Sequence, residues 1–276
     1  MQSALTLLVL LLAAPAVAVA VAGWRWRRTS DRWAARLELR PADDIVSFAA
    51  LDGLPPPVSR YLRTALREGQ PCHRAAELRQ EGQFLVKAPD GWRPFTASHR
   101  LTTDPPAFLW DARIAMGPGL AMRVRDRFLD GQGAMHAALL GLIPVVHVEG
   151  TPEIASGALH RWLAEAPWCP TALLPRPGLT WTAIDGTSAR ATVSSGATTV
   201  SADFHFGPDG LVTRVYVPDR MRDVRGTGVP TPWEGRFHGY TEMNGMWIPA
   251  GGDVGWVLDG TWQPYFRGSI AGATYR

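Results

Sequence analysis

Arg161 and Glu165 stand four residues apart in RWLAEAPWCPTALLP, the stretch from Arg161 to Pro175. On a helix that spacing puts a guanidinium and a carboxylate on one face. A surface pair of this kind is worth about 0.2–0.5 kcal/mol, and Arg ahead of Glu is the weaker order. Either the pair is a helical fastening, or both groups point into a ligand cavity with Glu165 as an acid or base. Asp126 is the third candidate. In AMRVRDRF, Met122, Val124, Asp126 and Phe128 alternate with Arg123, Arg125 and Arg127, so the carboxylate shares an apolar strand face. There it either bonds to its neighbours or holds a raised pKa and a function. Trp110, Trp162 and Trp168 fill a core or line an apolar pocket. Arg161, Trp162, Glu165, Trp168, Trp110 and Asp126 together form the candidate ligand-binding set, and no catalytic residue is assigned.

Other chemistry is thinner. Asp203 and His205 share a strand face, but two ligands do not make a metal site. HExxH, GxSxG and Walker-type patterns are absent, and Gly131-Gln-Gly133 resembles a phosphate loop without a clear helix after it. No metal or cofactor is expected. The two cysteines, Cys72 and Cys169, have no metal-ligand spacing; they either pair or stay separate, and Cys169 reads as a small buried hydrophobe. The pI of about 9.2 comes with a net charge of only +3. Lys87 is the one lysine, and the arginines are scattered, which reads as a solvated face and not as a nucleic-acid surface.

The elements that must position these residues follow from periodicity. From about Ala76 the period is two. Phe108, Trp110, Ala112, Ile114 and Met116 share a face, as do Val200, Ala202, Phe204 and Phe206. Turns at Gly117-Pro-Gly119, Pro208-Asp-Gly210, Asn244-Gly245 and Asp259-Gly260 predict an antiparallel meander of eleven or twelve strands, with a helix after the sixth. Thr151 suits that helix's cap, Pro152 its first position and Glu153 its positive end. So large a sheet curls, and the helix at 152–166, followed by the apolar PTALLP, reads as a lid or plug in the trough.

Ahead of the strands the text is helical. The acids after Pro41 suit a helix start, and Val58, Tyr61, Leu62, Ala65 and Leu66 make one stripe of a helix from Val58 to Glu68. At the beginning, Ala4 to Ala22 carries no charge. As a helix it is roughly 28 Å long, against a hydrocarbon core of about 30 Å, with Trp24 and Trp26 at interface depth. A cleaved secretory signal is the competing reading, but MQS lacks a basic residue. The expected organisation is a transmembrane anchor at 1–23, a juxtamembrane helical segment at 24–71 and a β domain at 72–276. Arginines after the span favour a cytoplasmic domain under the positive-inside rule.

GLPPPVSRYL, FLWDARI, DRFLDGQGAM, RWLAEAPWCPTALLP and YTEMNGMWIP, in that order, resemble an uncharacterised bacterial family of membrane-anchored proteins. It is known only as a domain of unknown function, and the likeness spans about residues 53 to 276. Cys169 stands where that family leads one to expect an aromatic residue. More distantly, the plan of strands, helix and further strands looks like the half-barrel of periplasmic lipoprotein carriers. That likeness implies acyl-chain binding on a concave sheet and a location outside the inner membrane. The sequence therefore points to an α+β protein with a curved, half-barrel-like sheet that binds a lipid or other hydrophobic small molecule near a membrane. Two alternatives stay open. One is a hydrolase-like enzyme using Glu165, Arg161 or Asp126; the other is a structural or partner-binding domain.

Overall fold

The computed structural model describes the backbone of residues 2–37 and 44–276, and side chains from residue 14 onward within them. The chain opens with α1 (Gln2–Ala35) and reaches α2 (Pro56–Ala65) through a 3₁₀ turn at Phe48–Leu51. Six strands follow: β1 (Ala75–Leu85), β2 (Trp92–Thr102), β3 (Ala107–Gly117), β4 (Leu120–Leu129), β5 (Gln132–Leu139) and β6 (Ile143–Glu149). Helix α3 (Pro152–Glu165) and two 3₁₀ turns, Ala166–Trp168 and Pro170–Leu173, come next. Seven strands complete the chain: β7 (Leu179–Ala183), β8 (Ser188–Ser195), β9 (Thr198–Phe206), β10 (Val212–Val224), β11 (Thr227–Met243), β12 (Met246–Leu258) and β13 (Thr261–Tyr275).

Among the described residues the thirteen strands form one antiparallel sheet, ordered β6-β5-β4-β3-β2-β1-β13-β12-β11-β10-β9-β8-β7. It consists of two meanders joined along one seam, where β1 pairs with β13 and Leu78 lies opposite Ala273. Helix α3 packs on β3, β4 and β5 and also on β9 and β10. Those groups lie far apart in the strand order, so only a sheet curled into a half-barrel brings both to one helix. The helix is the crossover from one free edge, β6, to the other, β7. This explains a lone helix in mid-chain: hairpins carry the chain within each meander, but the passage between opposite edges must cross the trough.

Strand alternation came out as the sequence predicted. Phe108, Trp110, Ala112 and Ile114 are buried, as are Val200, Ala202, Phe204 and Phe206. The turn signals hold too. Asn244-Gly245 and Asp259-Gly260 take positive φ at both residues, as tight hairpins require. The helix does follow six strands, but seven, not five or six, come after it. One uncounted turn is Arg225-Gly226, where an arginine adopts φ 55° without the usual Asn or Asp signal.

Three expectations about the other elements are corrected. Helix α2 begins two residues before Val58 and ends at Ala65, since Leu66 is already extended; its predicted apolar stripe is nevertheless buried. Of the acids after Pro41, residues 41–43 lie outside the described part. Asp44 starts no helix, because Arg74 holds its carboxylate at 2.6 Å and Val46 N–H donates to the Gln70 carbonyl at 2.8 Å. Nor is the arginine face of β4 wholly solvated. The second half of α1 lies across the convex side of β3 and β4. Trp26 Nε1 donates to Asp111 at 3.0 Å, and Arg125 donates to the Trp26 carbonyl at 2.9 Å with its guanidinium 4.2 Å from the Trp26 ring. Arg127 sits 4.0 Å above Trp33 in the same way. Among the described residues no helix is long and apolar enough to cross a membrane. Much of the expected span, residues 4–13, lies outside the described side chains.

Candidate functional site

The site forms where the second half of α3 enters the trough. Thr151 Oγ1 accepts the Ile154 N–H at 3.3 Å and Pro152 takes the first turn, so the helix starts at the β6 edge as the sequence predicted. Gly133 on β5 lets it pass close, since a Cβ there would stand 2.3 Å from the Ile154 carbonyl oxygen. This is the role of the Gly131-Gln-Gly133 pattern: a hairpin turn followed by a close crossing. Beyond the helix, Trp168 Nε1 donates to the Pro249 carbonyl at 3.2 Å, and Tyr275 Oη donates to the Trp168 carbonyl at 2.8 Å. PWCPTAL, from Pro167 to Leu173, is thereby buried against the sheet and α2, and plugs one end of the trough.

The other end holds a cavity of about 360 Å³. Its walls come from β1, β3–β6 and β10–β13, and its floor from Arg161, Ala164, Glu165 and Trp168. Five of the six predicted residues meet here: Trp110, Asp126, Arg161, Glu165 and Trp168. Trp162 does not. One residue along a helix turns a side chain by about 100°, so Trp162 points away from the cavity, donates Nε1–H to the Thr102 carbonyl at 2.8 Å and is capped by Arg176.

Arg161 organises the polar floor. Its Nη1 donates to Asp126 Oδ2 at 2.7 Å and its Nε to Glu165 Oε1 at 2.9 Å. Its guanidinium lies 4.8 Å from the Trp110 ring and 5.1 Å from the Phe108 ring. Burial works against its charge, but Glu165 and Asp126 outweigh it and hold the guanidinium firmly protonated. Burial raises the Glu165 carboxyl, and Arg161 offsets only part of that. The second oxygen of Glu165, Oε2, lies 3.3 Å from Nε2 of His99, but out of line for a hydrogen bond. His99 is fully buried, with its ring centroid 5.8 Å from that of Phe108. Desolvation, reinforced by Arg161, keeps its imidazole neutral, well below the usual value. The floor thus offers one fixed ion triad and one carboxylate oxygen facing a neutral imidazole.

Two residues of this region escaped the sequence reading, His99 and Arg220. His99 shares a strand face with Phe95, Ala97 and Leu101, which marks it only as a core position. For Arg220 a signal existed: Pro218 inside a strand implies a bulge. Of the remaining candidates, Asp203 is held by Arg190 at 2.6 and 2.9 Å, and His205 Nε2 lies 3.0 Å from Arg214 Nη2. Among the described residues no three His, Cys, Asp or Glu side chains are grouped to hold a metal ion. Both cysteines are free; Cys169 is fully buried, and burial pushes its thiol up to about 12.

A family of unknown function (DUF6920) matches residues 52–275. No curated protein matches the chain. Among solved structures, a LolA superfamily protein from Nitrosomonas europaea aligns over 80% of this chain and 92% of its own, at 8% identity and a TM-score of 0.31. A likeness at that score carries no argument about the site.

Proposed function

Because the chain belongs to this family of unknown function, its activity must be argued from its own geometry, and we propose that it is a module that binds a lipid or other apolar molecule in the trough. The observation that carries the proposal is the cavity itself. At about 360 Å³ it falls within the roughly 300–1,000 Å³ of small-molecule sites. Its walls are largely aromatic and aliphatic, with few polar groups. A purely structural domain would fill such a space with its own side chains. The uncharged stretch Ala4–Ala22 supports tethering to a membrane, and the arginines that follow favour the cytoplasmic side. Since the second half of α1 is docked on the outer face of β3 and β4, the β domain would then sit close to the bilayer.

Gly235 offers a clean test. It lines the cavity, and a Cβ there meets only ordinary contacts at 3.9 Å. Gly235→Leu is expected to narrow the space, weaken uptake of a fluorescent fatty acid at least tenfold and leave thermal stability equal or higher. Wild-type protein that takes up no apolar probe, and carries none by native mass spectrometry when purified from membranes, would refute the proposal. Fractionation of cells and the activity of a C-terminal cytoplasmic reporter test the tether and its orientation. The enzymatic reading rests on the free oxygen of Glu165 beside His99. It requires a hydrolytic activity that Glu165→Gln removes without loss of stability.

A further inference from the structure

The cavity contains two arginines with different surroundings. Arg161 is neutralised by Asp126 and Glu165. Arg220 has no carboxylate partner among the described residues. Its Nη2 donates to the Gly157 carbonyl at 2.9 Å, while its Nε is buried with no acceptor. The guanidinium lies 4.6 Å from the Trp233 ring and 5.6 Å from the Trp256 ring. Asp253, which also borders the cavity, does not neutralise it. Asp253 lies between Gly252 and Val254, both of which face the trough, so alternation turns its carboxylate to the other side, 3.8 Å from His238. The charge of Arg220 reaches both His160, which it pushes down, and Glu165, which it lowers.

Arg220 faces inward because of a bulge. Val217 pairs with Trp233, but Arg220 pairs with Thr231, so β10 carries one extra residue at Pro218-Asp219. Before the bulge the odd positions Val215 and Val217 face the core; after it the phase reverses and Arg220 turns in. Bulges re-aim side chains in this way beside functional sites. A weakly hydrated guanidinium on aromatic faces beside an apolar cavity, with its Nη1 making no hydrogen bond among the described residues, suits the oxygens of a carboxylate or phosphate.

We propose that Arg220 receives the anionic head of a single-chain amphiphile whose tail lies against Ile114, Met122, Val124 and Val146. The proposal rests on the binding-module reading and specifies its ligand class. A cavity near the small end of the usual range fits one chain rather than several.

Equilibrium dialysis of the full chain in nanodiscs, with empty nanodiscs subtracted, tests it with two matched pairs. Dodecanoate is compared with methyl dodecanoate, and dodecyl phosphate with dodecanol. Wild type is expected to prefer the charged member of at least one pair by tenfold or more; which pair shows it separates carboxylate from phosphate. Arg220→Met is expected to erase the preference while keeping the affinity for the neutral member, which also reports that the variant is folded. Should that variant fail to fold, Arg220→Lys, which keeps the charge but loses the planar fork, is expected to reduce the preference at least threefold. Equal binding of charged and neutral members by wild type, or a preference unchanged in the variants, overturns the role of Arg220 and leaves the module reading intact. Binding of none of the four overturns both.

Discussion

At the scale of single residues, Arg161 has the largest expected effect. Removing it leaves Asp126 and Glu165 buried together without a cation, and breaking a buried pair from one side costs about 3–5 kcal/mol. Arg161→Met should lower stability by that amount in urea unfolding, and adding Asp126→Asn and Glu165→Gln should restore much of it. His160 gives the pH dependence a sign. Burial, with Arg220 adding to it, lowers its imidazole from 6.5 to about 4. The unfolded chain therefore takes up the proton first as pH falls, so the contribution of His160 is complete above 6.5 and is lost toward 4. That is a loss of about 3 kcal/mol at roughly 1.4 kcal/mol per unit. His160→Gln should flatten this part of the curve of urea midpoint against pH. His99 acts in the same direction, whereas Glu165, whose carboxyl is raised from 4.5, stabilises most below 4.5 and less as pH rises past its folded value. The polar floor was legible because Asp126 breaks an apolar alternation and Arg161 and Glu165 share a helical face. His99 was not, since an imidazole among core residues has the same pattern as any other core position.

At the scale of elements, the start of α3 could be read from Thr151, Pro152 and Glu153, because capping is local chemistry. The height at which the helix crosses the sheet could not, because Gly133 acts through a neighbour about twenty residues away (Ile154) that no short pattern reveals. Gly133→Val would force the first turn of α3 off β5 and is expected to cost about 1–3 kcal/mol, seen as a lower urea midpoint. Strand faces and Asn-Gly or Asp-Gly turns were legible for the same local reason. The phase change in β10 was not followed, although Pro218 announced it; read through that bulge, Arg220 would have been placed in the cavity. The second half of α1 misled in the opposite sense, because arginines on the outer face of β4 look solvated until a tryptophan-bearing helix is laid over them.

At the scale of the whole molecule, periodicity and turns yielded a curled antiparallel sheet with a helix in its hollow, but not the strand order. No local feature says that the first strand must pair with the last. That seam joins residues almost two hundred positions apart, as where Glu77 meets Thr274. Its closure has to wait for both meanders, so topology of this kind folds slowly. Leu78, fully buried on β1, is a test: Leu78→Ala should cost about 2–5 kcal/mol and, if the seam forms in the rate-limiting step, should slow refolding in stopped-flow traces rather than merely speed unfolding. The crossover helix has a mechanical consequence as well. It ties the two unpaired rims of the half-barrel together like the string of a bow. Its fixed length therefore sets how far the rims can spread, and with that the girth of any guest admitted between them.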